Sequence, residues 1–165
     1  MIIAGIDPGY ERFGIAILKK GTGHDKDEVI FSDCIRTSAK LPFQDRLFEI
    51  GTELESIIQK YKPDALAIEK LFFTTNQKTA LSVSEIKGMT TYIAKRNKLP
   101  VFEYTPLEIK SAVVGYGKAT KDQIQKMLML LVKGNKKWEE KEAIDDEYDA
   151  CAVALTCSVL NKNFK

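Results

Sequence analysis

The sequence contains few of the residues that bind transition metals or form disulfide bonds. Its 165 residues include a single histidine, His24, and three cysteines, none of them in a C-x-x-C pair. A zinc centre needs several such ligands, so the composition argues against one. An odd number of scattered cysteines also argues against a disulfide framework and favours a reducing compartment. These cysteines are Cys34, Cys151 and Cys157.

Long apolar runs and targeting signals are also absent. No hydrophobic stretch in the sequence approaches the roughly 20 residues of a membrane-spanning helix. The first residues lack the basic flank and the cleavage site of a signal peptide. The hydrophobic share of 44% and the charged share of 29% are ordinary for a globular protein. We therefore expect a single domain, residues 1–165, in the cytoplasm and without a membrane association.

The net positive charge is small overall, but the excess of lysine is concentrated in one region. The formal net charge is only +2, whereas residues 105–138 contain seven lysines and two acidic residues. Such a region favours a polyanionic partner, although a solvated helical face would have the same composition.

Residues 1–9, MIIAGIDPG, combine a short apolar strand with a carboxylate. The nearly continuous run of Ile2, Ile3, Ala4 and Ile6 is typical of a strand that is buried on both faces. The run ends at Asp7, which a Pro-Gly turn follows. Taken alone, Asp7 is better explained as a turn-starting residue, so a functional interpretation depends on partner carboxylates elsewhere.

The remaining pattern predicts an α/β fold. Three strands with short connections come first, and helices then alternate with strands, which predicts a mixed five-stranded sheet with helices on both faces. The first three strands are expected to be antiparallel and the last two parallel. Strands are predicted near 2–6, 13–18, 28–35, 65–68 and 99–104, and helices over 42–61, 77–97, 106–114, 120–131 and from 145 onwards. Residues 134–142 are predicted to be a charged connection around Trp138, and Ile124, Met127, Leu128 and Leu131 are expected to face inward.

Further acidic residues stand at comparable places. Glu69 follows the predicted fourth strand, and Asp146 and Asp149 are three residues apart, hence neighbours on one helical face. A cation between Asp146 and Asp149, or the positive N-terminal end of the helix, would relieve their repulsion. For Asp145 and Glu147 the simpler explanation is that acidic residues at a helix start complement the helix dipole. Together, Asp7, Glu69, Asp146 and Asp149 form a set of four carboxylates that suits Mg²⁺ or Mn²⁺. Two such ions about 3.5–4 Å apart can activate water and stabilise the leaving oxygen in phosphodiester hydrolysis.

Four segments together resemble the RuvC family of Holliday-junction resolvases, in the ribonuclease H-like superfamily, over essentially the whole chain. They are GIDPG at 5–9, AIEKLFF at 67–73, VFEYTPLEIKSAVVGYGKATK at 101–121 and Asp146-x-x-Asp149-Ala150. The third segment is the most specific. Phe13 stands where many members have a threonine, and Lys70 where many have a glutamine. These two departures put the rate of cleavage or the preferred cleavage sequence in question, but not the type of reaction.

The resemblance implies a site and a substrate. It implies that Asp7, Glu69, Asp146 and Asp149 are the catalytic carboxylates and hold Mg²⁺, with two ions per site and Mn²⁺ as a substitute. It implies that Lys110 and Lys121 contact phosphates of a four-way DNA junction, with Lys118 a further candidate, and that Phe72 stacks on a base at the branch point. Phe72 and Phe73 are both DNA-binding candidates. As alternatives, the lysines could simply be solvated surface residues, and Phe72 and Phe73 could lie in the core or in an interface.

The resemblance also implies partners. The family acts as a homodimer, which suits a substrate with two-fold symmetry, and it works with a branch-migration helicase. A stripe of small residues on the second helix would permit close approach of a helix from the same chain or from a partner subunit. The stripe consists of Ala80, Leu81, Ser84, Gly88, Thr91 and Tyr92.

Three other functions remain as alternatives. A nuclease or processing factor acting on RNA would share the Asp-x-Gly strand end but not the 101–121 segment. Actin-like and sugar-kinase phosphotransferases share that strand end but need two domains to enclose ATP. A junction-binding module without catalysis would use the lysines and Phe72 equally well, but the four carboxylates would then only repel the phosphates.

Overall fold

The chain forms a mixed β-sheet with helices packed on both faces. The computed structural model describes residues 1–70, 77–140 and 142–161, with the backbone alone described for residues 77–79. The strands are Ile2–Asp7 (β1), Arg12–Lys19 (β2), Asp27–Arg36 (β3), Ala65–Glu69 (β4), Val101–Tyr104 (β5) and Val132–Lys133 (β6). The helices are Phe43–Tyr61 (α1), Gln77–Arg96 (α2), Pro106–Val114 (α3), Lys121–Leu131 (α4), Lys136–Glu139 (α5) and Asp145–Leu160 (α6).

The sheet has the strand order β5-β4-β1-β2-β3-β6. β2 pairs antiparallel with both β1 and β3, whereas β4 is parallel to β1 and β5 is parallel to β4. This confirms the predicted three antiparallel and two parallel strands. Among the described residues the sheet has six strands rather than five, because the two-residue β6 adds in parallel to β3. A strand of two residues is too short to produce the alternation on which sequence prediction relies.

Each face of the sheet has its own apolar layer. On one face Ile6, Phe13 and Ile15 pack with Ile50 and Leu54 of α1 and with residues of α2. The other face packs with α3, α4, α5 and α6. Burial on both faces explains why β1 is nearly continuously apolar, and it confirms the predicted layering.

The ends of α3 and α4 follow directly from their local sequence. Thr105 and Thr120 are the N-caps, and each hydroxyl accepts a hydrogen bond from the backbone N–H three residues later. Gly115 ends α3 in the left-handed conformation, at φ 78°. α1 begins at Phe43, one residue later than predicted, with Pro42 as its N-cap.

Two expectations about the basic region were wrong. The predicted connection at 134–142 contains helix α5, and its Trp138 is fully buried in the core. Leu131 is 39% exposed although the helical period places it inward, because α4 ends at that residue. The cysteines Cys34, Cys151 and Cys157 are free, as predicted. Across the described ranges, no helix is long and apolar enough to cross a membrane.

Candidate active site

The carboxyl ends of β1 and β4 bring the first two predicted acids to one edge of the sheet. Asp7 is the last residue of β1 and Glu69 the last of β4. The two strands are parallel, with Ile6 opposite Ile68, so their following residues emerge side by side. The carboxyl ends of parallel strands are a common position for ligand sites in α/β sheets.

Helix α6 brings the other two acids to the same place because it packs unusually close to the sheet. A Cβ atom on Gly5 would lie 2.2 Å from the carbonyl oxygen of Ala150, and one on Gly14 would lie 2.3 Å from that of Asp146. Both distances are shorter than van der Waals contact, so only glycine is compatible with this packing. Gly14 is the partner of Asp7 in the β1–β2 ladder. The first turn of α6 therefore lies directly against the strand that carries Asp7.

The pKa values of Asp7 and Glu69 reflect both their burial and the nearby carboxylates. Burial raises the pKa of Asp7 to about 7, and the charges of Asp149, Glu69 and Asp146 contribute to that rise, against the opposing effect of Lys121. Burial and the charge of Asp149 likewise raise the pKa of Glu69. Carboxylates that mutually disfavour ionisation are frequent at functional sites.

Two basic side chains neutralise part of this charge. Lys121 Nζ donates a hydrogen bond to Asp149 Oδ2 at 2.9 Å, and this bond raises the pKa of Lys121. Arg12, the first residue of β2, forms an ion pair with Asp146. Arg12 was not among the predicted site residues, because it lies 134 positions from Asp146 and only the sheet brings them together.

Three of the four candidate acids and two of the candidate lysines share a cleft of about 320 Å³. Its lining includes Asp7, Glu69, Asp149, Lys110 and Lys121, together with apolar groups of α3, α4 and α6. Asp146 lies beside the cleft rather than in its lining. Lys118 is exposed in the connection between α3 and α4 and is not part of the lining either.

The donor set is suited to a hard divalent cation. All four candidates are carboxylates, whose oxygens Mg²⁺ and Mn²⁺ prefer. Burial, together with the charges of neighbouring carboxylates, raises the pKa values of Asp7 and Glu69, and a bound cation would favour their ionised forms. Within residues 1–70, 77–140 and 142–161, no three acidic, histidine or cysteine side chains are close enough to form a ready metal centre. Two of the four carboxylates instead hold Arg12 and Lys121.

The other residues singled out in the sequence have different positions. Phe72 and Phe73 lie outside the described residues. Phe13 is fully buried in the apolar layer beneath α1 and α2, on the face away from α6, so it does not reach the cleft. Lys70 is exposed directly after Glu69.

A larger cleft, of about 600 Å³, lies at the opposite end of β2. Its lining combines Lys19, Lys20, Lys26 and Lys133 with only two acids, Asp25 and Glu28. It has lysines of the kind that bind phosphates but not the group of carboxylates, so size alone does not identify the active site.

Comparison with known proteins agrees with this geometry. The family model described as crossover junction endodeoxyribonuclease RuvC matches residues 3–157. The chain belongs to the RuvC family. Similar family members include the crossover junction endodeoxyribonuclease RuvC of Alkaliphilus metalliredigens, 44% identical over 94% of this chain and 91% of that protein. That of Petrotoga mobilis is 41% identical over 100% of this chain and 98% of that protein.

A solved structure shows the same fold. Thermus thermophilus RuvC, in a complex with a Holliday-junction substrate, superposes with a TM-score of 0.87. The match covers 96% of this chain and 93% of that one, at 26% identity. The predicted ribonuclease H-like fold and the resemblance to the RuvC family are thereby confirmed.

Proposed function

We propose that this chain is a divalent-metal-dependent endonuclease that resolves four-way DNA junctions by paired, symmetric nicks. The observation that carries the proposal is the convergence of four carboxylates from β1, β4 and α6 beside a cleft that also contains Lys110 and Lys121. Membership of the RuvC family supports the same reaction and connects it with DNA recombination and repair.

Asp7, Glu69, Asp146 and Asp149 are the residues that would hold the metal, two Mg²⁺ ions with Mn²⁺ as a substitute. When bound, the ions would lower the pKa of a water molecule and stabilise charge on the leaving oxygen. The carboxylates supply the negative charge that retains the ions. Lys121 Nζ donates to Asp149 at 2.9 Å, and with Asp149 occupied by a cation this lysine would be available to a phosphate.

The surroundings of the cleft suit a phosphodiester backbone. Lys110 lines the cleft and its charge counteracts the raised pKa of Glu69, so it lies close enough to neutralise a phosphate there. Lys118 is exposed nearby and would contact a more distant phosphate. Phe72 and Phe73 remain the candidates for stacking on junction bases, an interaction of about 1–3 kcal/mol per base. The relative from Thermus thermophilus binds a Holliday-junction substrate.

The exposed side of α2 supports the proposal of a homodimer. Leu81 is 63% exposed and Tyr92 is 65% exposed, and a Cβ added to Gly88 would meet nothing within 4 Å. The predicted stripe of small residues thus faces away from the sheet, where a second copy would cover it. Two sites related by a two-fold axis would nick the two strands symmetrically. A branch-migration helicase as partner and a cytoplasmic location remain part of the proposal.

The test is incubation of the purified protein with a labelled four-way junction, with Mg²⁺ and with a chelator. We expect paired nicks only with Mg²⁺, and slower cutting of duplex DNA and of structured RNA. Asp7→Asn should abolish nicking while junction binding persists, because it removes a metal-binding charge from the cleft. Asp25→Asn is the matched control, since this carboxylate lies at the far end of the sheet.

Several results would contradict the proposal. Nicking by Asp7→Asn in Mg²⁺ at the unaltered rate would exclude the proposed site. Preferential cleavage of RNA would favour the RNA-processing alternative. Tight junction binding without any metal-dependent cleavage would favour the non-catalytic module.

A further inference from the structure

A buried charged network lies directly behind the acidic turn of α6. Its centre is Glu147, whose side chain is only 1% exposed. Ser32 Oγ donates a hydrogen bond to Glu147 Oε2 at 2.6 Å. Lys137 Nζ forms an ion pair with Glu147 Oε1 at 2.7 Å, and the backbone N–H of Ile144 donates to the same oxygen at 3.3 Å. Glu147 thus accepts from three donors in three different segments.

Trp138 extends the network into the core. Its indole Nε1–H donates to Ser32 Oγ at 2.9 Å, so the Ser32 hydroxyl accepts from the indole and donates to Glu147. The Trp138 ring packs on Tyr148 of α6, with 4.4 Å between the ring centroids. The network therefore joins β3, α5 and the start of α6.

A buried carboxylate is costly unless its oxygens are paired. Here all the partners are in place, and in the described part of the chain no buried side-chain polar atom is left without one. The positive charge of Lys137 offsets the repulsion between Glu147 and its acidic neighbours. Lys137 Nζ also lies 3.7 Å from Asp33 Oδ1. An apolar side chain would fill the space without this cost, so a need for packing alone does not account for the charge.

The location of Glu147 indicates what the network does. The N-cap of α6 is Ile144, whose side chain accepts no capping hydrogen bond. Glu147 therefore supplies the side-chain contact to the start of the helix, reaching back to the Ile144 N–H. Asp146 lies in the same turn and Asp149 three residues further along the helix, and they form ion pairs with Arg12 and Lys121 respectively.

We propose that Glu147 is a positioning residue that, with Ser32, Lys137 and Trp138, fixes the first turn of α6 so that Asp146 and Asp149 face Asp7. Glu147 itself does not touch the substrate or the metal. The inference rests on the proposed nuclease function, which assigns the reaction to these carboxylates. A displacement of about 1 Å in a catalytic group can reduce a rate about 100-fold, so a rigid anchor for the turn has a direct effect on catalysis.

The experiment separates positioning from folding and from DNA binding. Glu147→Gln keeps the shape of the side chain but presents an amide group to donors. Lys137→Met removes the paired charge, and Lys137→Arg restores it. Lys136→Met is the matched control, because Lys136 lies beside Lys137 on α5 and its ion pair with Glu140 is exposed.

Three quantities are measured at a temperature where each variant is fully folded. They are the single-turnover nicking rate of the preformed junction complex, the junction Kd, and the Mg²⁺ affinity by calorimetry. We expect Glu147→Gln and Lys137→Met to lower the nicking rate about 10- to 100-fold and to weaken Mg²⁺ binding, because the acids lose their orientation. The junction Kd should change less than about threefold. Lys137→Arg should recover most of the rate, and Lys136→Met should match the wild type.

Opposite outcomes overturn the inference. Wild-type rates and Mg²⁺ affinity in Glu147→Gln and Lys137→Met would show that the network contributes only to folding. A loss that Lys137→Arg does not recover would exclude the role of the paired charge. A wild-type protein that binds Mg²⁺ but cuts no junction would count against the proposed function instead, and the effect of Glu147→Gln on Mg²⁺ affinity would still decide about positioning.

Discussion

The two faces of the sheet are both buried, but they are built differently. Beneath α1 and α2, large side chains such as Ile6, Phe13 and Leu54 fill the space between layers. Beneath α6, Gly5 and Gly14 provide no side chain, and the helix backbone contacts the sheet directly. The first arrangement is an ordinary apolar core, whereas the second fixes the position of a helix that carries two of the four candidate carboxylates, Asp146 and Asp149.

The difference shows how one sheet can separate stability from chemistry. Burial of large side chains contributes most of the stabilising apolar area, and small changes there are tolerated if volume is kept. Close backbone packing contributes less area per residue but tolerates almost no displacement. We therefore expect substitutions on the α1 and α2 face to change stability, and substitutions on the α6 face to change both stability and nicking.

The largest effect is expected from Gly5→Ala. Its new Cβ would lie 2.2 Å from the carbonyl oxygen of Ala150, so α6 must move away from the sheet. We expect a loss of about 3 kcal/mol or more in the free energy of unfolding and at least about a tenfold loss of nicking. Urea denaturation and single-turnover nicking measure the two effects.

The control for Gly5→Ala is Ala4→Val, which adds volume on the opposite face of the same strand. It should cost about 1–3 kcal/mol of stability and leave the nicking rate of the folded protein unchanged. Equal losses of nicking in both variants would remove the distinction between the faces.

Leu54→Ala tests the face of the sheet that packs with α1 and α2. Leu54 of α1 is fully buried, and its truncation should lower the free energy of unfolding by about 2–5 kcal/mol. Nicking per folded molecule should stay within about twofold of the wild type, because Leu54 does not line the cleft. A denaturation curve and an activity corrected for the folded fraction test the prediction. A selective loss of nicking would show that the two layers are coupled.

The metal-free protein should lose stability through Asp7 as the pH rises. An unperturbed aspartate has a pKa of 3.8, whereas the pKa of Asp7 in the folded chain is about 7. Between these values the native state retains a proton that the unfolded state has released, so raising the pH disfavours the native state. The penalty is complete above about pH 7 and should be offset by Mg²⁺.

Asp7→Asn isolates this contribution. In the presence of a chelator, the Tm of the variant should exceed that of the wild type increasingly from about pH 4 to about pH 7, and the difference should then level off. A difference independent of pH would contradict the raised pKa of Asp7. Addition of Mg²⁺ at pH 8 should raise the Tm of the wild type more than that of the variant.

The smallest effect is expected from two lysines of α4. Lys121→Gln should weaken junction binding, since Lys121 lines the cleft. The slope of log Kd against log salt concentration should fall by about one, as expected for the loss of one phosphate contact. Lys126 forms only an exposed pair with Asp122 on the same helix, and Lys126→Gln should have little effect. Binding titrations at several salt concentrations compare the two. Equal slopes would contradict the assigned role of Lys121.

Much of this organisation could be predicted because it is local. The caps Thr105 and Thr120 and the turn at Gly115 follow from short-range hydrogen bonds and backbone preferences. Leu131 was placed wrongly because helical periodicity does not show where tertiary packing stops. The strand β6 and the burial of Trp138 were missed, since both depend on contacts with β3 and α6.

The sequence by itself determined the alternation of helices and strands, the two-sided burial of β1 and the family motifs that contain the four carboxylates. These features depend only on residue type and on spacing along the chain. Only the tertiary structure decided that Arg12 pairs with Asp146, that Lys121 pairs with Asp149, and that Glu147 is anchored by Ser32. Those contacts join residues far apart in the chain, and their existence depends on how closely α6 packs on the sheet. Sequence spacing does not encode that distance.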